Sequence, residues 1–196
     1  PVPFAVPPIK GLKENIDAGN VNHLWYDQQC KRRKISGKEA CQSKKVVVVG
    51  GGSVGLDVIE YFAPRGAECT IIDMLAQIGM LADPITKCSM RETHDKYGVK
   101  DMQHALQEVK ENAFTVKLPD GTIQDLTFDY GFNCLGMRSN NPILPELQEA
   151  FADTHTYIYT IGDSVRARRI MEGTMEGRAI LNVLESQGYL HLEPLE

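Results

Sequence analysis

The stretch that decides the fold is Lys45-Val46-Val47-Val48-Val49-Gly50-Gly51-Gly52-Ser53-Val54-Gly55. Its four consecutive valines form a continuous apolar run, which is typical of a strand covered on both faces of a parallel sheet. Apolar residues at helical spacing follow, from Val58 to Ala63, and Pro64 and Gly66 end that helical pattern. The stretch therefore predicts a buried strand, a glycine turn and a helix in direct succession.

A second apolar strand, Cys69–Ile72, comes after this helix and ends on Asp73. Strand, turn, helix and strand fit within about 30 residues, the usual length of a βαβ unit. In such a unit Gly50 permits the tight turn, Gly52 lets the backbone approach a pyrophosphate, and Gly55 lets the helix pack on the strand. The first helical amides, at Ser53 and Val54, favour an anion. The pattern predicts a dinucleotide site.

The acid that ends the second strand indicates which dinucleotide is bound. Asp73 lies 23 positions beyond Gly50, where a carboxylate accepts hydrogen bonds from the adenosine ribose and repels a 2′-phosphate. The next residues, Met74 to Gln77, include no Arg or Lys to bind that phosphate. We therefore expect NAD(H) in preference to NADP(H), although FAD uses the same glycine fingerprint.

After the second strand, Asp83 and Pro84 suit the cap and first position of a helix that runs to Lys96 and closes at Gly98. Residues 105–128 alternate with a period of about two and contain a hairpin signal, Pro119-Asp120-Gly121-Thr122, which indicates three short antiparallel strands. The predicted fold class is α/β: a Rossmann-like parallel sheet with a βαβ nucleotide-binding unit and an antiparallel three-stranded β-meander.

The rest of the chain predicts fewer elements. Tyr130–Leu135 is expected to form a buried strand, Leu144–Phe151 a short helix, Tyr157–Ile161 another strand, and Ile170–Ser186 a last helix. Residues 1–43, proline-dense at their start, are interpreted as a linker or arm, with a possible short helix at Leu24–Cys30.

Composition limits the classes of partner. The 196 residues carry a net charge of -5, and Lys31-Arg32-Arg33-Lys34 is the only dense basic run, so we expect no nucleic-acid partner. No stretch approaches the roughly 20 apolar residues of a membrane span. Five cysteines without a CxxC pair argue against a disulfide framework and favour the cytoplasm. The five histidines have no spacing typical of a metal site.

Three stretches resemble a known family. Pro7–Leu12 is similar to the segment that follows the first half of a split FAD domain, Asn133–Asn140 to the family's turn before its second FAD stretch, and Tyr159–Arg166 to its second FAD signature. Together they resemble the C-terminal half of NADH:flavin oxidoreductases of the 2,4-dienoyl-CoA reductase and 2-enoate reductase group. In that fold an NAD domain is inserted into an FAD domain.

The resemblance implies a domain layout and an origin in a longer protein. Residues 1–43 would be a linker and partial FAD-domain segment, 44–138 the NAD(H)-binding domain, and 139–196 the C-terminal part of the FAD domain. The chain would be a fragment that docks NADH for hydride transfer to FAD. The missing partners would be an N-terminal barrel with FMN, a 4Fe-4S centre, and the other FAD half. The parent would act on a small molecule, and the isolated fragment would be inactive.

The resemblance also adds site residues. Gly162 and Asp163 would contact the flavin's ribityl or pyrophosphate portion, and Asp57 stands where the family has a glutamate near the nicotinamide. Cys134 replaces an alanine, which small-residue packing explains better than redox chemistry. The predicted cofactor-binding residues are Gly50, Gly51, Gly52, Ser53, Val54, Gly55, Asp57, Asp73, Met74, Gly136, Gly162 and Asp163. No catalytic residue and no metal ligand is predicted.

Two alternatives remain open. The chain could be a structural or ADP-binding module of a related amine dehydrogenase, without nicotinamide turnover. It could also derive from a disulfide reductase whose redox cysteines lie upstream. The intact Gly50, Gly52, Gly55 and Asp73 argue against a site that has lost its ligand.

Overall fold

A computed structural model describes residues 4–23, 38–80, 82–154 and 156–189. By its internal contacts the chain divides into a larger unit, Phe4–Gly136, and a smaller unit, Met137–Glu196 with Pro1–Pro3. The assignment of residues 44–138 to NAD(H) and of 139–196 to FAD stays a prediction.

A five-stranded parallel sheet forms the centre of the larger unit. Its strands lie in the order β1, β8, β2, β3, β4. The order reverses between β2 and β8, which is the switch point where open α/β sheets bind ligands. The predicted α/β fold class is confirmed. The strand bounds are β1 Val21–Asn22, β2 Lys45–Val49, β3 Glu68–Asp73, β4 Lys100–Gln103 and β8 Tyr130–Asn133.

The antiparallel meander consists of β5, Ala105–Val109, β6, Ala113–Lys117, and β7, Ile123–Thr127. The amide of Leu118 donates to the carbonyl of Thr122 at 2.8 Å and closes the hairpin between β6 and β7. The three antiparallel strands and this turn are confirmed.

The helix Pro84–Tyr97 begins and ends where local signals predict. The carboxylate of Asp83 accepts hydrogen bonds from the amides of Ile85 and Thr86, and Gly98 ends the same helix in the left-handed region. The bounds are α1 Leu12–Asp17, α2 Lys38–Cys41, α3 Ser53–Phe62, α4 Pro84–Tyr97, α5 Ile143–Ala150 and α6 Ile170–Ser186, with 3-10 turns at Ala63–Arg65 and Gly162–Ser164. Among the described helices, none has the length and apolar character needed to cross a bilayer.

The valine run is buried on both faces of the sheet. Val46 and Val48 pack into the cluster on the α3 face, which includes Phe62. Val47 and Val49 pack into the cluster that β6 and α1 cover. Because successive residues of a strand point to opposite faces, only an apolar run without alternation fits this position.

Some interpretations of the sequence need correction. Residues 4–23 contribute α1, with Leu12 fully buried, and β1 to the larger unit. The assignment of residues 1–43 to a linker and partial FAD-domain segment stays a prediction. Strand β4 was not predicted. The strand expected at Tyr157–Ile161 is wrong, since no described strand pairs with it. The possible helix at Leu24–Cys30 lies outside the described residues.

The smaller unit has no core of its own. None of the described residues from Met137 to Tyr189 is buried. Helix α6 leaves Ile170, Met171 and Met175 more than half exposed. Because apolar side chains at this density normally pack against other elements, we expect other polypeptide to bury this surface.

Candidate functional site

A cleft of about 440 Å³ opens at the carboxyl ends of β2, β3 and β8, in the larger unit. Parallel α/β sheets bind ligands at this edge, next to the switch point of the strand order. The cleft is lined by Gly50, Gly51, Gly52, Ser53, Asp73, Met74, Leu75, Gln77, Gly79, Met80, Ala82, Cys134, Leu135 and Gly136. The structure thus brings the predicted glycine turn, Asp73, Met74 and Gly136 together.

Two glycines of the turn are required by the backbone itself. Gly50 has φ +107°, and a Cβ there would lie 2.3 Å from the carbonyl oxygen of Cys134. A Cβ at Gly55 would lie 2.0 Å from the carbonyl oxygen of Gly50, where α3 packs on the turn. Both positions exclude a side chain, because real Cβ atoms do not approach backbone so closely.

Gly52 differs, because a Cβ there would meet no protein atom within 4 Å. Its backbone is extended (φ -82°, ψ -178°), so the fold does not demand a glycine. Gly52 is also the N-cap of α3, and no side chain caps that helix end. The amides of Ser53 and Val54 therefore face an open space beside a helix N-terminus, which fits a pyrophosphate.

The carboxylate of Asp73 lies on the rim of the cleft. Its Oδ2 accepts a hydrogen bond from the Gly51 amide at 2.7 Å, and its Oδ1 accepts one from the Leu75 amide at 2.9 Å. Each oxygen retains a lone pair, so the carboxylate has acceptor capacity left for ribose hydroxyls. Asp73 is therefore placed both to hold the turn and to bind a sugar.

A loop from Met74 to Met80 forms one wall of the cleft. The Gly79 amide donates to the Gly51 carbonyl at 2.9 Å, and Ile78 packs beneath Gly51. Met74 is 72% exposed at the mouth. The wall is thus hydrogen-bonded to the glycine turn and presents an apolar edge suited to a flat aromatic base.

Asp57 and Cys134 are neighbours at the α3 side of the site. Burial raises the pKa of the Cys134 thiol to about 12, and the Asp57 carboxylate adds to this rise. Partial desolvation raises the pKa of Asp57, although its side chain is exposed. The thiol is therefore protonated at neutral pH, which agrees with a packing role.

Gly162 and Asp163 belong to the smaller unit. The Gly162 amide donates to Oε2 of Glu176 at 2.6 Å, and Oδ1 of Asp163 accepts from the Arg168 amide at 3.0 Å. Gly162 has φ +61° and lies against Gly173 of α6. The turn is thus tightly constrained, and Asp163 keeps one carboxylate oxygen without a partner among the described residues.

Two basic side chains near the site were not predicted from the sequence. Lys87 and Arg91 of α4 line a separate pocket of about 240 Å³ together with the loop that follows Asp73. Their i, i+4 spacing is visible in the sequence, but only the fold brings that helix face to the loop. No cluster of His, Cys, Asp or Glu in the described ranges could hold a metal ion.

The parallel sheet, the glycine turn and the uncapped helix define a dinucleotide-binding α/β unit. The chain belongs to the pyridine nucleotide-disulphide oxidoreductase family, whose model matches residues 3–176. Membership of this family implies NAD(P)H and FAD as cofactors, and the cleft at Gly52 fits the diphosphate of such a molecule.

The chain is similar to several oxidoreductases. It is 26% identical over 137 residues to an NADH oxidase of Thermoanaerobacter brockii, with 69% of this chain and 21% of that protein covered. It is 27% identical over 181 residues to the bilirubin reductase of Mediterraneibacter gnavus (strain CC55_001C), with 91% and 26% covered. The relatives are oxidoreductases.

Among solved structures, 2-naphthoyl-CoA reductase in complex with 2-naphthoyl-CoA has the same fold. The TM-score is 0.66 at 21% sequence identity, covering 90% of this chain and 24% of that one. The chain therefore spans about a quarter of the length of these proteins.

Proposed function

We propose that this chain is the NADH-docking part of a flavin-dependent oxidoreductase of the enoate or dienoyl-CoA reductase type. The observation that carries the proposal is the open space at Gly52, beside the uncapped N-terminus of α3 and the acid Asp73. When bound, NADH supplies a hydride for a flavin. The residues of this chain bind and orient it; the redox chemistry belongs to the cofactors.

The glycine turn, the first amides of α3 and Asp73 have different parts in docking. The amides of Ser53 and Val54 donate to the diphosphate, and Gly52 leaves room for its close approach. Asp73 accepts from the adenosine ribose through the lone pairs that Gly51 and Leu75 leave free. These contacts fix the adenosine half, so the nicotinamide extends along the cleft toward Leu135 and Gly136.

The smaller unit is proposed to be the second part of an FAD domain. Its lack of any buried residue among those described supports this, because such a segment needs other polypeptide to cover its apolar side chains. Gly162 and Asp163 would contact the FAD there. The cover would be the other FAD half of a longer parent protein.

The parent is proposed to act in the cytoplasm on a small molecule. Its N-terminal barrel would hold FMN and a 4Fe-4S centre, and electrons from the FAD would pass through these to the substrate. On this proposal the isolated chain lacks the partner cofactors, so we expect it to bind NADH without oxidising it.

Calorimetric titration of the chain with NADH, ADP and FAD tests the docking proposal. We expect saturable NADH binding that Gly52→Val abolishes, because the valine side chain occupies the space meant for the diphosphate, and its Cβ meets no protein atom within 4 Å. Thr127→Val, an isosteric change at an exposed position of β7 outside the cleft, serves as the control.

The titration also separates the alternatives. ADP binding as tight as NADH binding would favour the ADP-binding module of an amine dehydrogenase. No binding of either nucleotide would contradict a docking role for this chain.

A further inference from the structure

A second pocket adjoins the cleft and shares Leu75 and Gln77 with it as a common wall. Its volume is about 240 Å³, well above the roughly 30 Å³ that one water molecule occupies. Lys87 and Arg91 of α4 form one side of the pocket, and Asp101 of β4 belongs to another. The pocket is therefore large enough for a phosphate group and is lined by charged side chains.

The charges favour an anion. Lys87 and Arg91 stand one helical turn apart on the same face of α4. Neither forms an ion pair with any part of the chain that the structure describes. The single carboxylate that lines the pocket, Asp101, has its Oδ1 2.7 Å from Nδ1 of the buried His94. Two basic side chains without an ion-pair partner among the described residues thus line the pocket with a single carboxylate.

The pocket begins directly beyond the acid assigned to the ribose. Leu75, in the shared wall, donates its amide to Asp73 at 2.9 Å. Gln103, which also lines the pocket, is the register partner of Asp73 in the neighbouring strand, and its amide group donates to the Met74 carbonyl at 3.4 Å. A substituent on the ribose would therefore point from Asp73 toward Lys87 and Arg91.

We propose that this pocket receives a phosphate monoester on the 2′-oxygen of the adenosine ribose, so that the chain docks NADPH as well as NADH. The inference rests on the proposed docking function. Two amide hydrogen bonds to Asp73 delocalise the charge that repels such a phosphate, and Lys87 and Arg91 offset the remainder. The sequence alone favoured NAD(H), because Asp73 repels a 2′-phosphate and residues 74–77 include no Arg or Lys.

Three nucleotide fragments isolate the contribution of the 2′-phosphate to affinity. They are adenosine 5′-monophosphate, adenosine 2′,5′-bisphosphate and adenosine 3′,5′-bisphosphate, each titrated calorimetrically into the full chain. We expect the 2′-phosphate to tighten binding by about tenfold, the equivalent of one charge-assisted hydrogen bond. The double variant Lys87→Gln, Arg91→Gln should abolish that gain and leave binding of the monophosphate unchanged. Raising the salt concentration should reduce the gain in the wild-type chain.

Lys96→Gln is the matched control, because Lys96 lies on the same helix but over the ring of Tyr97, outside the pocket. It should keep the full gain. Each single variant, Lys87→Gln and Arg91→Gln, should lose part of it, so the test does not depend on the folding of the double variant. An equal gain from the 3′-phosphate, or a gain that survives the double variant, would overturn the proposal.

NADH and NADPH titrated in parallel separate this inference from the docking proposal. If NADH binds but Lys87→Gln and Arg91→Gln leave the affinity for NADPH unchanged, the inference alone is overturned. Binding of the 2′,5′-bisphosphate that depends on Lys87 and Arg91, with no NADH binding, would overturn the docking proposal alone. Failure of every nucleotide to bind would overturn both.

Discussion

The side-chain carboxylate of Asp73 accepts a hydrogen bond from the backbone amide of Gly51 at 2.7 Å. This bond joins the end of β3 to the glycine turn that follows β2, across two adjacent strand ends. The residue that would recognise the ribose therefore also holds the turn that would bind the diphosphate. Changes at Asp73 should affect stability and binding together, but to different degrees in different variants.

Asp73→Asn and Asp73→Ala separate these two effects. The asparagine keeps an acceptor oxygen for one backbone amide, so we expect little loss of stability but about tenfold weaker NADH binding, from the lost charge. The alanine leaves the amides of Gly51 and Leu75 without their acceptor and should lower the free energy of unfolding by about 1–2 kcal/mol more. Urea denaturation and calorimetry measure the two quantities. Equal stability of the two variants would contradict a structural role for the carboxylate.

The glycines of the turn should divide into two groups when each is replaced by alanine. Gly55→Ala places a Cβ 2.0 Å from the Gly50 carbonyl and should lower the free energy of unfolding by about 1–3 kcal/mol, the range seen for overpacking. Gly52→Ala meets no protein atom, so its stability should be unchanged within about 0.5 kcal/mol while its NADH affinity falls. Thermal unfolding distinguishes them. A destabilised Gly52→Ala would mean that this glycine serves the fold instead of a ligand.

The parts of the fold that the sequence predicts are those set by local rules. The run Val46–Val49 is apolar without alternation because both faces of β2 are buried, and Gly50 requires a positive φ. Asp83 and Gly98 mark the ends of α4 because their caps use side chains and dihedral angles specific to those residues. Each of these signals is contained in a few consecutive residues, so the sequence alone reveals it.

The parts that the sequence did not predict correctly depend on contacts between distant segments of the chain. Strand β4 has one neighbour and mostly exposed residues, so no apolar pattern marks it. Tyr157–Ile161 has the apolar pattern of a buried strand, yet the described chain offers it no partner strand. Since strands need neighbours to be stable, the apolar pattern alone was not sufficient to predict a strand here. Lys87 and Arg91 reach the candidate site only through the packing of α4.

Asp129 should contribute to stability in a pH-dependent way. The Lys45 amide donates to Oδ2 of Asp129 at 2.8 Å and lowers the pKa of its carboxyl group, with a further contribution from Lys44. A carboxyl group whose folded pKa is depressed stabilises the fold above its unfolded pKa, about 3.9, and loses that contribution as the pH falls through the folded value. Asp129→Asn should therefore weaken the fall in urea midpoint between about pH 5 and pH 2. An unchanged slope, equal to that of the exposed control Asp153→Asn, would contradict this role.

The cysteines should differ in reactivity according to burial. Burial raises the pKa of both Cys69 and Cys134 to about 12, so at pH 8 only about one thiol in ten thousand is ionised at either site. Cys88 is exposed on α4. Iodoacetamide at pH 8 should therefore modify Cys88 before Cys69 and Cys134, as peptide mass spectrometry would detect, and should modify all three in urea. Alkylation of native Cys134 as fast as that of Cys88 would argue against its packing role.

The stability of the chain should reside almost entirely in the larger unit. Every buried residue that the structure describes lies between Leu12 and Cys134, and none lies in Met137–Tyr189. Because burial of apolar surface dominates folding energetics, a chain that ends at Gly136 should unfold cooperatively, with a free energy of unfolding within about 1 kcal/mol of the full chain.

A chain that ends at Asp129 is the matched control for this truncation. It loses β8, which lies between β1 and β2 in the sheet and carries the buried Phe132, so it should not fold. Urea denaturation followed by circular dichroism compares the two truncations with the full chain. Loss of cooperative unfolding in the chain ending at Gly136 would show that the smaller unit contributes to the core, contrary to its lack of buried residues.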